Sequence, residues 1–181
     1  MKIRAFLTIA LLLTASTAQA ELKMPNVFGD HMVVQQKMPI KVWGWTKPGQ
    51  AVTVELGGKS AEAKADADGK FVVSLPEMTA DGTPLTLTVK ADETKTFNDV
   101  LVGEVWVCSG QSNMEMGIGA IRATDDIAKA NNPNIRLFTV PKTVATAPRE
   151  LTAGNWDVCT PETVTKGGWG GFSAVGYFFG K

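Results

Sequence analysis

The sequence predicts a β-sandwich followed by the opening of an α/β domain. Residues 21–98 alternate apolar and polar side chains with a period of two, and turn dipeptides punctuate the alternation. Near residue 100 the texture changes to an apolar run, a polar loop and a helical stretch. Composition sets the outer bounds. With 181 residues, 18 Lys+Arg against 18 Asp+Glu and 44% hydrophobic residues, the chain is not a disordered tail, a collagen-like fibre or a polybasic nucleic-acid binder.

Residues 1–20 read as a leader rather than as fold. Lys2 and Arg4 form a positive start, Ala5 to Leu13 is an apolar core, and Ala18-Gln19-Ala20 supplies small residues for a signal peptidase. The apolar stretch is too short to span a bilayer. The expectation is a secreted or periplasmic protein whose mature chain starts at Glu21, has no membrane contact after cleavage and carries a small net negative charge. Export permits a disulfide. Joining Cys108 and Cys159 would close a loop of about 50 residues and contribute about 4 kcal/mol on the chain-entropy model. Two buried free thiols are the other reading, because Cys108 lies in an apolar run where cysteine packs as a small hydrophobe. No C-x-x-C occurs, so neither a zinc site nor a thioredoxin-like site is expected.

The strands of the first part follow in order. Val52, Val54 and Leu56 share one side of a strand, with Thr53 and Glu55 on the other. Phe71, Val73 and Leu75 repeat the pattern, as do Leu85, Leu87 and Val89. Pro48-Gly49, Gly57-Gly58, Asp68-Gly69 and Asp81-Gly82 mark the turns. This spacing predicts an antiparallel sandwich of about seven strands or fewer over residues 21–98. Asp66-Ala67-Asp68-Gly69 lacks the later ligands of a calcium loop and reads as a hairpin turn.

The second part, residues 99–181, opens with Val105-Trp106-Val107-Cys108, apolar without alternation, as a strand covered on both faces would be. Thr124 is the expected N-cap of a helix with Asp125 and Asp126 in its first turn, and Asn131-Asn132-Pro133 ends it. Ile135 to Val140 reads as the next strand. Gly167-Gly168-Trp169-Gly170-Gly171 reads as a flexible loop, and Ser173 as the N-cap of a final apolar helix.

Between the apolar run and the first helix lies Ser109-Gly110-Gln111-Ser112-Asn113. A serine directly after a buried strand is a nucleophile candidate. The strand holds it, and the following turn exposes its hydroxyl and aims backbone N–H groups at the space where an oxyanion would form. Met114 rules out the G-x-S-x-G elbow. Spacing alone does not choose between Ser109 and Ser112, and turn or capping roles are common for such serines.

The run from Gly103 to Met116, GEVWVCSGQSNMEM, resembles the signature of the sialate O-acetylesterase family of SGNH hydrolases. Residues 24–35, 132–138 and 172–179 resemble further segments of that family in the same order. The resemblance implies the N-terminal portion of a carbohydrate O-acetylesterase. Its fold would be a sandwich followed by an incomplete SGNH-like, flavodoxin-like three-layer domain. Ser112 would be the nucleophile, Gly110, Gln111 and Asn113 would support the oxyanion loop, and an acetylated carbohydrate would be the substrate. No metal or organic cofactor is implied. The family's Asp/His pair has no counterpart in these 181 residues, so the chain alone is expected to be nearly inert. His31, the single histidine, reads as a satisfied strand-end imidazole rather than a base. A second reading is a non-catalytic glycan-binding sandwich with a decayed hydrolase stub, using Trp43 and Trp45 as a sugar platform. Core packing is the commoner use of such a pair.

Overall fold

The computed structural model describes residues 21–181. The leader expected over residues 1–20 lies outside that range. The chain is mostly sheet. Its first part contains β1 (Val33–Gln35), β2 (Ile40–Trp45), β3 (Ala51–Leu56), β4 (Lys59–Lys64), β5 (Lys70–Leu75), β6 (Leu85–Lys90) and β7 (Thr94–Gly103). Five of these form one sheet in the order β1-β7-β6-β3-β4, while β2 and β5 form a two-stranded sheet.

Alternation does what period two requires. In β3 every second residue is buried, and Val52, Val54 and Leu56 meet Phe71, Val73 and Leu75 of β5 in one core with Val42, Leu87 and Val89. Phe71 is only 1% exposed, so its removal would cost about 3–5 kcal/mol. The β3–β4 hairpin turns on Gly57 and Gly58, both at positive φ (52° and 76°), the backbone that a two-residue turn between twisted strands needs.

The antiparallel expectation requires correction. β1 runs parallel to β7, pairing Val33 with Leu101 and Gln35 with Gly103, so the five-stranded sheet is mixed. Parallel pairing needs a long connection, and the whole of β2 to β6 supplies it. Side-chain periodicity carries no information on which distant segments pair.

The second part contains α1 (Ser112–Glu115), α2 (Thr124–Ala128), β8 (Asn132–Phe138), β9 (Trp156–Cys159) and α3 (Ala174–Gly180). β8 and β9 pair antiparallel around a smaller core of Ile118, Leu137, Cys159, Val164 and Tyr177. Contacts that tie this part to the first include Trp156 Nε1 donating to the Val27 carbonyl at 2.9 Å, Arg136 reaching Asp99, and the Lys70–Glu150 ion pair.

Four local expectations differ here. Val105 to Cys108 is not a strand; it is exposed, with Val107 at 90%, because no strand lies beside it among the described residues. Cys108 is therefore exposed rather than packed inside a sheet, and both cysteines are free. Thr124 is the first helical residue of α2, not its cap, which is Ala123 without a side-chain bond. Pro133 lies inside β8, where the register shifts between Asn132 and Arg136, an irregularity that accommodates a residue without an N–H.

The glycine-rich stretch is the fourth. It is not loose. Gly117 N donates to Trp169 O (2.8 Å), Gly119 N to Gly170 O (2.8 Å) and Ile118 N to Phe172 O (3.0 Å). Gly170 and Gly171 have φ of 79° and 102°, and a Cβ on Gly170 would sit 2.6 Å from Ala120 N. The glycines are there for close approach of two backbones. Ser173 caps α3 as expected, its side chain accepting from Gly176 N at 3.1 Å.

Candidate active site around Ser112

Ser112 is exposed and is the first residue of α1, with Gln111 as N-cap in extended conformation. Gly110, Gln111 and Asn113 are exposed beside it, as is Ser109 in the preceding coil. Gln111 O accepts from Met114 N and Glu115 N at 2.9 and 3.1 Å, which winds the short helix. The Ser112 and Asn113 amides have no hydrogen-bond partner among the described residues, as expected for the first turn of a helix. They are the free donors that an oxyanion near Ser112 Oγ can use. A Cβ on Gly110 would lie 3.0 Å from Met114 Cβ, so glycine lets the turn fold back on itself there.

Three contacts hold α1 in place. Met114 Sδ lies 3.4 Å from Ser173 Oγ, Ala174 N donates to Met116 O at 2.9 Å, and Glu115 pairs with Lys142 at 2.6 Å. The glycine strap grips the residues that follow. Against α1 and α3 opens an apolar hollow of ≈ 560 Å³, walled by Asn113, Met116, Ile121, Val175, Phe178 and Phe179.

No imidazole joins Ser112. His31 Nδ1 is 2.6 Å from Asp99 Oδ2, and Asp99 also accepts from Arg136 Nη2 at 2.9 Å through both oxygens. His31 therefore has a hydrogen-bond partner just ahead of β1 and makes no hydrogen bond to Ser112 among the described residues. Burial pushes the Asp99 carboxyl up, but the His31 hydrogen bond and the Arg136 charge together outweigh it and hold it below the ordinary carboxylate value. Asp99 and Arg136 gave no sequence signal beyond a charge inside the apolar alternation Ile135-Arg136-Leu137. Burial raises the Cys159 thiol, which makes it a packing residue rather than a nucleophile.

Trp43 and Trp45 do not form a free platform. Trp43 packs edge-on against Phe28 with centroids 4.7 Å apart, and Lys70 Nζ lies over the Trp45 ring. Asp66 Oδ1 accepts from Asp68 N and Lys70 N, the local bonding of a turn. Asp125 and Asp126 sit in the first turn of α2, and Asp126 also pairs with Lys181. Among the described residues no three His, Cys, Asp or Glu side chains converge, and no helix is long and apolar enough to cross a membrane.

A mixed sheet followed by an exposed serine at the start of a short helix makes up the fold and the candidate site. The fold is similar to that of a solved carbohydrate acetylesterase from Xanthomonas citri, 40% identical, with a TM-score of 0.80 over 88% of this chain and 36% of that one. No protein-family model matches the chain. Sialate O-acetylesterases from Pongo abelii and Homo sapiens are 34% and 33% identical over 168 residues, 82% of this chain and 32% of each relative. Over that shared stretch the chain is similar to sialate O-acetylesterases and to a carbohydrate acetylesterase. It spans about a third of the length of the curated relatives it matches.

Proposed function

We propose that the chain is the nucleophile-bearing part of a secreted or periplasmic carbohydrate O-acetylesterase. The observation that carries this reading is the exposed Ser112 at the start of α1, with the unpartnered amides of Ser112 and Asn113 beside its hydroxyl. Support comes from relatives named for acetyl-ester hydrolysis on sialate and carbohydrate, and from the leader pattern of residues 1–20.

In this reading Ser112 Oγ attacks the acetyl carbonyl while a base takes its proton. The carbonyl oxygen becomes an oxyanion held by the two amides, with the Asn113 side chain beside it. Collapse of that intermediate expels the sugar oxygen, which takes up the proton, and leaves acetyl on Ser112. Water then releases acetate and restores the hydroxyl. In this reading the base is supplied by a residue other than His31, the single histidine, whose only side-chain hydrogen bond among the described residues goes to Asp99 and not to Ser112. Loss of the base from a serine hydrolase costs on the order of a millionfold in kcat. The chain alone should therefore turn over acetyl esters only at background.

The test is a chimera in which this chain replaces the matching stretch of the Xanthomonas citri enzyme. Acetylated-sugar hydrolysis by the chimera, abolished in Ser112→Ala, supports the reading. Hydrolysis that survives Ser112→Ala refutes it.

A further inference from the structure

Four of the five tryptophans have an evident packing partner. Trp43 packs on Phe28, Trp45 lies under Lys70, Trp156 bonds Val27 and packs on Phe138, and Trp106 meets Phe179 edge-on at 5.0 Å. Trp169 is the exception. It is 48% exposed, has no ring partner, and its indole N–H has no acceptor among the described residues.

Its backbone, by contrast, is held firmly. Four glycines bracket it, all at positive φ: Gly167 (84°), Gly168 (32°), Gly170 (79°) and Gly171 (102°). A Cβ on Gly171 would sit 2.5 Å from Val164 O, and one on Gly117 would sit 2.4 Å from Gly170 O. Backbone bonds from Gly117, Gly119 and Ile118 lace the strap to the segment that leaves α1. What sets Trp169 apart is the combination of a half-exposed indole with a backbone fixed on both sides. Rigid backbone under an exposed indole is the arrangement of a preorganised contact, because little ordering cost remains to be met on binding.

The position matters too. The Trp169 carbonyl accepts from Gly117 N, five residues beyond Ser112, and those residues are partly helical. The strap therefore meets the Ser112 segment within about 18 Å of Ser112, the fully extended limit for five residues. The residues just after the strap, Ser173 and Ala174, touch α1 itself or its C-cap.

We infer that the Trp169 indole is a stacking platform for a pyranose ring, on the strap that laces to the segment following Ser112. A pyranose presents a face of C–H groups with slight positive charge, which suits the electron-rich face of an indole. The indole N–H is free to bond a ring hydroxyl. This deepens the carbohydrate-ester reading and rests on it for the choice of ligand class.

The test uses the full chain, labelled with 15N, whose five tryptophans give five indole N–H signals. Methyl β-D-xylopyranoside and the methyl glycoside of N-acetylneuraminic acid are titrated in, with glycerol as the polyol control. The Trp169 signal, identified by its loss in Trp169→Tyr, should shift saturably with at least one pyranoside and not with glycerol. Trp169→Leu, which keeps an apolar side chain but no ring, should weaken binding at least about tenfold as read on the amides of residues 117–119. Trp169→Tyr should retain most of it. The remaining four indole signals report that the fold is intact. Absence of a saturable shift at Trp169, an equal shift with glycerol, or unchanged binding in Trp169→Leu overturns the inference.

Ser112→Ala separates the two proposals. It should leave sugar binding unchanged, so an enzyme reading that fails leaves the platform standing. A Trp169→Leu chain that binds as well as the parent removes the platform while leaving Ser112 chemistry intact.

Discussion

Arg136 on β8 reaches Asp99 on β7, its Nη2 lying 2.9 Å from each carboxylate oxygen, and so joins the two parts of the chain through one buried guanidinium. The Arg136 side chain is only 3% exposed, and its Nε and Nη1 have no partner. Asp99 is its only charge partner among the described residues and also holds His31. Removing the carboxylate leaves a buried positive charge uncompensated.

Asp99→Asn should therefore destabilise the fold by about 2 kcal/mol at neutral pH, a value kept below the usual cost of breaking a buried pair because Asp99 is 30% exposed. The sign with pH follows from the depressed carboxyl of Asp99. Its contribution is fully present above the unfolded value near pH 4 and is lost as pH falls through the lower folded value. Urea denaturation from pH 7 to pH 3 should show the parent losing this increment on the acid side, while the Asp99→Asn variant shows no such loss.

Gly170→Ala and Gly82→Ala separate strain from collision. Both residues have φ near +80°, but a Cβ on Gly82 meets open space, whereas one on Gly170 would meet Ala120 N at 2.6 Å. Gly82→Ala should cost about 1 kcal/mol, the strain of a left-handed alanine. Gly170→Ala should cost at least about 2 kcal/mol more, because two backbones must part. Thermal melts of the two variants against the parent decide it.

Ser173→Ala should lower stability by about 1 kcal/mol through loss of the α3 cap. Because Ser173 also touches Met114, hydrogen exchange at the amides of residues 114–116 should quicken in this variant.

The cysteines should differ in reactivity. Cys108 is exposed and Cys159 is buried, donating its thiol to Ala130 O at 3.8 Å. A thiol reagent should modify one cysteine per native chain quickly and the second only on unfolding. Equal fast modification of both would contradict the packing around β9.

Much of the first part was legible because its strands are half-buried. Val52, Val54 and Leu56 must alternate with polar neighbours, and Gly57-Gly58 can scarcely do anything but turn. The parallel β1–β7 pair was not legible, since it is a relation between segments far apart in sequence. Val105 to Cys108 misled because an apolar run records what a segment is suited to pack against, and no strand among the described residues covers it. The strap misled in the opposite direction, since glycines that permit close backbone packing look, in sequence, like glycines of a loose loop. At the candidate site, Ser112 stood out only by resemblance. The Arg136–Asp99–His31 cluster showed nothing, since a single charge in an apolar strand has many explanations.

The most direct test of Ser112 as the acyl carrier is mass spectrometry of the chimera caught during turnover of an acetylated sugar. The expected result is an added mass of about 42 Da, one acetyl group, on the peptide holding residues 109–113, localised by fragmentation to Ser112 and absent in Ser112→Ala. Acetyl on Ser109, or turnover with no acetyl carried anywhere on that peptide, would contradict it.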